Sequence, residues 1–211
     1  VGSTILPRLC YVTDGERGTA GRPLAGVIRS AIEGGVGLVI LRERERSGAD
    51  WVRLARELEP LRERGARIVA SRRLDIARAL HLDGVHLAAD AIPIAEARVW
   101  LGAQALIGYS AHSSDEARRA ADHGANYVTL SPIYPTGSKP GLSGRGCAWL
   151  REAIHGLSIP VFALGGITAE RVREVRAAGA WGVAAVSAIG AAPDVTRAAS
   201  ELYTLLEESS A

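Results

Sequence analysis

Short apolar runs alternate with longer amphipathic stretches along the whole chain. Eight of the runs, at residues 9–13, 38–41, 67–70, 84–87, 105–109, 127–130, 161–164 and 183–186, are nearly continuous aliphatic or β-branched segments. That pattern predicts strands buried on both faces, as in a parallel sheet. Between them, helical spacing appears over residues 24–33, 50–64, 74–80, 94–101, 114–123, 168–178 and 195–206. Trp51, Leu54, Leu58 and Leu61 carry it in the second of these. Ser113 and Thr168 stand where N-caps are expected, and Gly65, Gly124 and Gly179 where helices should stop before the next strand. Eight strands alternating with helices predict a single (β/α)8 TIM barrel over residues 1–211, with 1–8 an N-terminal extension and 207–211 a C-terminal tail. A doubly wound open sheet would need two unequal halves and a switch point, and neither is seen.

Composition narrows the picture. Hydrophobic residues make up 47% of the 211 residues but aromatics only 5%, so the core must be built from Val, Ile, Leu and Ala. The net charge is +2, and the longest charged run, residues 42–46, alternates in sign. With no basic stripe or aromatic platform, a nucleic-acid partner is not expected. No apolar run approaches the ~18 residues of a membrane span, and the N-terminus does not read as a leader. Cys10 and Cys147 are far apart and form neither a metal pattern nor a disulfide framework. The expectation is a cytoplasmic protein with no membrane partner.

In a barrel the chemistry sits at the C-terminal ends of the strands. The residues there include Asp14, Arg42, Arg44, Ser71, Arg72, His86, Ser110, His112, the stretch 131–139, Gly165, Gly166 and Ser187. The sixth such loop is rich in Gly and Pro and holds Lys139, the only lysine of the chain. Hydroxyls at Thr136 and Ser138 beside that ammonium suit a phosphate or diphosphate. Gly165-Gly166 after the seventh strand and Val186-Ser187 after the eighth offer backbone N–H groups where barrels commonly bind phosphate. Arg42 and Arg44, two apart at a strand end, suit a carboxylate or diphosphate. His86 and His112 are the candidate acid/base groups.

These segments together resemble the thiamine-phosphate synthase / TenI family. The resemblance runs from Tyr11-Val12-Thr13-Asp14 through Asp83-Gly84-Val85-His86-Leu87, Pro132 to Lys139 and Gly165-Gly166-Ile167-Thr168 to Ser187. It implies a small phosphorylated thiazole ligand and, by family analogy, a homodimer. A synthase of this family joins a pyrimidine diphosphate to a thiazole phosphate and needs Mg2+. Its metal-binding Asn-Asp pair after strand three is Ser71-Arg72 here, and its second metal Asp aligns with Ala91, next to Asp90. The TenI branch also lacks those metal residues and shares Arg42-Glu43-Arg44 and residues 141–146. Its activity is aromatisation of a carboxylated thiazole phosphate, an acid/base proton shift. TenI-type enzymes place a His where this chain has Pro132, which leaves His86 and His112, and after them Cys147, to move the proton. The expected protein is thus a thiazole tautomerase without a cofactor or metal. The alternatives are a Mg2+-dependent synthase and a non-catalytic phosphate-binding or regulatory barrel.

Overall fold

A computed structural model of the chain describes residues 6–137 and 141–208. Eight parallel strands close into a barrel in chain order, β8 pairing with β1. They are β1 (Leu9–Val12), β2 (Leu38–Leu41), β3 (Arg67–Ser71), β4 (Gly84–Leu87), β5 (Leu106–Ala111), β6 (Tyr127–Leu130), β7 (Val161–Leu164) and β8 (Gly182–Ala185). Their partners on the outside are α1 (Leu24–Glu33), α2 (Gly48–Glu63), α3 (Leu74–Ala79), α4 (Ile94–Leu101), α5 (Ser114–Asp122), α6 (Gly146–Ile154) and α7 (Ala169–Ala177). After β8 come the single-turn α8 (Ser187–Gly190) and α9 (Val195–Glu208). The barrel expected from the alternation of runs is the fold observed. Among the described residues no helix is long and apolar enough to cross a membrane.

The strands are apolar throughout because each side of the barrel wall is covered. Alternate residues, among them Cys10, Val12, Leu38, Ile40, Val69, Tyr127, Phe162 and Ala184, pack together inside the barrel. The intervening ones, such as Leu9, Val39, Leu41, Ile68 and Val85, pack against the helices. Leu58 of α2 is fully buried in that outer layer, and its truncation to Ala is expected to cost about 2–5 kcal/mol.

Two helices have no counterpart in the periodicity. α6 opens on Gly146 at the end of a glycine-rich stretch, and its buried Cys147, Leu150 and Ala153 give only three points of pattern. α8 is four residues long, too short for any period. The fifth strand extends to Ala111, past its apolar run, because Ser110 and Ala111 pair with Thr129 and Leu130 of β6. Thr168 is the N-cap of α7 but makes no side-chain cap bond, whereas Ser113 accepts from the Glu116 N–H at 3.1 Å.

The N-terminal end of the barrel is fastened by repeated devices. Gly65, Gly124 and Gly179 take positive φ after α2, α5 and α7. The N–H groups of the following Ala66, Ala125 and Ala180 reach back to Leu61, Ala120 and Val175 carbonyls, closing each helix. Asp83, just before β4, accepts from Ile68 N–H at 2.8 Å and from Arg62 and Arg67. Asn126, just before β6, likewise accepts from Ile107 N–H at 2.7 Å and from Arg98. A Cβ on Gly84 would stand 1.9 Å from the Leu106 carbonyl oxygen, so the approach of β4 to β5 requires glycine there.

Candidate active site

At the C-terminal end the barrel interior changes character around its circumference. The alternation that buries Val69, Tyr127 and Phe162 brings Ser71, His86, Ser110, Thr129 and Ser131 to the top of the polar side, on β3 to β6. Val12, Ile40, Leu164, Ala184 and Val186 face them from the other strands. All ten line one cavity of about 360 Å³, the size of a small-molecule site. The residues expected from sequence to bind ligand converge on it: Arg42, Arg44, Ser110, Thr136, Gly165, Gly166, Val186 and Ser187, together with His86 and His112. Ser138 and Lys139 lie outside the described residues. Ser71, Arg72 and Ser131, expected among the polar residues at the strand ends, also line the cavity, as do Glu43, Arg73 and Thr129, which were not expected there. The two-residue repeat of β6 points Thr129 the same way as Tyr127, and that is the signal in the sequence for it.

The two histidines have different environments. His86 is buried, its Nδ1 3.1 Å from the Tyr127 hydroxyl and its Nε2 3.0 Å from Ser110 Oγ. Burial, with the charge of Arg72 adding to it, pushes its pKa down to about 3, so the imidazole is neutral. A Cβ on Gly108 would stand 2.1 Å from the Tyr127 ring and 2.6 Å from His86 Nδ1, so this pairing depends on glycine at 108. His112 is exposed at the rim. Its Nδ1 lies 2.9 Å from the Ser131 carbonyl, which can only accept. The ring proton is therefore held on Nδ1, and the basic lone pair is that of Nε2. The His112 backbone N–H donates to Glu116 at 2.7 Å, which ties the residue to the start of α5. Cys147 does not line the cavity; it packs 3.2 Å from the Tyr134 hydroxyl.

The charged rim is dominated by guanidinium. Arg42, Arg44, Arg72 and Arg73 all line the cavity, and Glu43 is the carboxylate among its lining residues. One Glu43 oxygen already accepts from the Thr13 hydroxyl at 2.6 Å and from Gly15 N–H at 3.2 Å, joining the ends of β1 and β2. Arg42 pairs with Asp14 and Arg73 with Asp75. Arg44 is exposed with no ion pair among the described residues. Arg72 adopts φ 62°, unusual for a residue with a side chain. Its N–H donates to the His86 carbonyl at 2.9 Å and its guanidinium to Asp90 at 2.5 Å. A magnesium ion, which the synthase alternative requires, prefers several carboxylate or water oxygens. Here the guanidinium of Arg72 stands where the resemblance puts one metal-binding carboxylate, and it engages Asp90. Among the described residues no three His, Cys, Asp or Glu side chains are grouped to hold a metal. The residues present do not fit that ion.

Opposite this rim lie the loops after β7 and β8. Ile133 and Tyr134 N–H donate to the Leu164 and Gly165 carbonyls, both at 3.0 Å, and Arg171 donates to the Gly166 carbonyl. In a trans peptide the N–H points opposite its carbonyl. The N–H groups of Gly166 and Ile167 are therefore turned away from those partners. The first-turn N–H groups of Ser187 and Ala188 in α8 have no acceptor within their own helix. Loops after strands seven and eight with a short extra helix form the usual phosphate site of such barrels.

The family described as thiamine monophosphate synthase matches residues 9–189. A putative thiamine-phosphate synthase of Geobacter sulfurreducens is 42% identical over 200 residues, 94% of this chain and 93% of its own length. A thiamine-phosphate synthase of Methanoculleus marisnigri is 42% identical over 195 residues, 91% of this chain and 92% of its own. The structure of thiamine phosphate pyrophosphorylase from Pyrococcus furiosus superposes with a TM-score of 0.86 at 32% identity, covering 96% of each chain.

Proposed function

The chain belongs to the thiamine monophosphate synthase family, and from that premise we propose that it is an enzyme of thiamine biosynthesis that isomerises a carboxylated thiazole phosphate by metal-free proton transfer. The observation that carries the reading is a guanidinium in place of one metal-holding carboxylate: Arg72, bound to Asp90, shares the cavity with Arg42, Arg44 and Arg73. Such a rim suits a ligand that brings its own anionic groups and no metal. The phosphate goes to the β7 and β8 loops, against the N–H groups of Gly166, Ser187 and Ala188, with Thr136 beside them and Ser138 and Lys139 on the same loop. The carboxylate goes to the arginine side, where Arg44 has no competing acid.

A prototropic shift removes a proton from one carbon of a conjugated system and places one on another. The charge that develops between the two steps spreads over the ring and carboxylate, and guanidinium stabilises it there. On this reading His112, at the cavity rim, carries the proton. His86, buried and neutral, supports the site from beneath. The test is conversion of the carboxylated thiazole phosphate to its aromatic isomer by purified protein in EDTA. Arg44→Ala should weaken binding and His112→Gln should slow turnover. Absence of both binding and conversion would sink the reading.

A second reading is favoured by the relatives named above, which carry the synthase name at 42% identity. It predicts magnesium-dependent formation of thiamine phosphate from a pyrimidine diphosphate and a thiazole phosphate. Running that assay on the same preparation separates the two. A protein that binds the thiazole phosphate and converts it in neither assay would instead be a binding or regulatory barrel.

A further inference from the structure

We propose that Tyr127, His86 and Ser110 form a one-way chain of hydrogen bonds that presents the Ser110 hydroxyl to the bound ligand as a donor. The site would then select a ligand with an acceptor, a ring nitrogen or a carboxylate oxygen, at that point. This rests on the thiazole reading only for the identity of the ligand, not for the direction of the chain.

The direction follows from donors and acceptors. The Tyr127 hydroxyl is fully buried between His86 and Phe162, and its one hydrogen-bond partner among the described residues is His86 Nδ1 at 3.1 Å. A buried O–H without an acceptor carries the full cost of its lost hydration. Tyr127 therefore donates and Nδ1 accepts. A neutral imidazole with its lone pair on Nδ1 carries its proton on Nε2. That N–H points at Ser110 Oγ, 3.0 Å away. Thr129 Oγ1 lies 3.5 Å from both Nε2 and Ser110 Oγ, a weaker contact that leaves the order unchanged. Ser110 Oγ thus receives a proton from below, and its own hydrogen is left for the cavity it lines. The opposite order, with Nδ1–H donating to Tyr127, would strand the phenolic hydrogen in the barrel core. Gly108 keeps the arrangement possible, since any side chain there would occupy the space of the Tyr127 hydroxyl and His86 Nδ1. His86 and Tyr127 are thereby positioning residues, and Ser110 is the group that touches the ligand.

The test is a long-range nitrogen–proton correlation spectrum of the ligand-free protein labelled in histidine, with His86 assigned from the His86→Asn variant. The expected result is a neutral ring with the proton on Nε2 and no titration between about pH 5 and about pH 8. A proton on Nδ1, or a ring that titrates in that range, overturns the chain. Tyr127→Phe removes the donor to Nδ1; an Nδ1–H would then face only an apolar ring, so the proton should stay on Nε2 while the Nδ1 resonance shifts as its hydrogen bond is lost, and an unmoved Nδ1 resonance would show that Tyr127 does not donate to it. Titration calorimetry with the carboxylated thiazole phosphate then tests the final link. Ser110→Ala should lose roughly 3- to 10-fold in affinity, the worth of one hydrogen bond, and unchanged affinity overturns the donation to ligand. The spectra need no ligand, so a failure of the thiazole reading leaves them standing.

Discussion

The two ends of the barrel use the same residue types to opposite purpose. At the N-terminal end Asp83 holds Ile68 N–H, Arg62 and Arg67, and Asn126 holds Ile107 N–H and Arg98. Arg8 lies over the Trp181 ring and Arg176 donates to the Ala180 and Trp181 carbonyls. Each polar group there is fixed to the fold. At the C-terminal end Arg44 has no ion pair among the described residues, Ser110 has a hydroxyl proton to give, and the first N–H groups of α8 lack acceptors in their helix. At the C-terminal end Arg42, Arg72 and Arg73 are likewise paired with acids, so it is Arg44 that stands apart from the fastenings. What separates them is whether the chain itself satisfies the group, not which residue it is.

That contrast can be broken at several points, the largest first. Gly84→Ala drives a methyl group into the backbone of β5 and should cost about 3 kcal/mol or more, with the loss read from a urea unfolding curve. A stable Gly84→Ala protein would mean that β4 and β5 can part at that end. Asp83→Ala leaves the buried Ile68 N–H without its acceptor and takes one acceptor from each of Arg62 and Arg67, and should cost roughly 2–4 kcal/mol. Its affinity for a thiazole phosphate, measured on the fraction that remains folded, should match that of the unaltered chain.

Between those losses and the mildest change lies a pH effect. His86 has a pKa of about 3 in the folded chain and an ordinary value near 6.5 when unfolded. Between those values the unfolded state binds the extra proton, so stability falls as the pH drops from about 6.5 toward 3. The slope is at most roughly 1.4 kcal/mol per pH unit, or about 2 kcal/mol by pH 5. Unfolding midpoints at pH 7 and 5 measure it, and the His86→Gln variant should show a flatter dependence. Equal slopes in the two proteins would place the acid sensitivity elsewhere. The smallest effect on folding is expected from Arg44→Ala, within about 0.5 kcal/mol, although this variant should bind a carboxylated ligand about tenfold more weakly. A loss of stability with unchanged binding would make Arg44 a fastening after all.

Much of this is legible in the sequence. The continuous runs at β2, β4 and β6 named buried parallel strands, and Gly65, Gly124 and Gly179 marked helix ends. The residues following the strands included almost every side chain of the cavity. The reason is physical: strand burial and helix termination are local demands, met within a few residues. α8 was not legible, because a single turn has no period, and neither was α6, whose pattern is three small or apolar positions behind a run of glycines. The partnerships were hidden for a different cause. Arg72 with Asp90, Glu43 with Thr13, and His86 with Tyr127 join residues 18, 30 and 41 apart; neighbouring strands bring the first two pairs together, and the third meets inside the barrel, β4 to β6 across Gly108 of β5.

The sequence by itself therefore determined the class of fold, the end of the barrel at which the cavity lies, and the family. The tertiary structure alone decided which of those polar groups are already satisfied. It separated two similar histidines into one buried and neutral and one exposed at the rim, because burial and hydrogen-bond partners are set by strand register and not by local spacing.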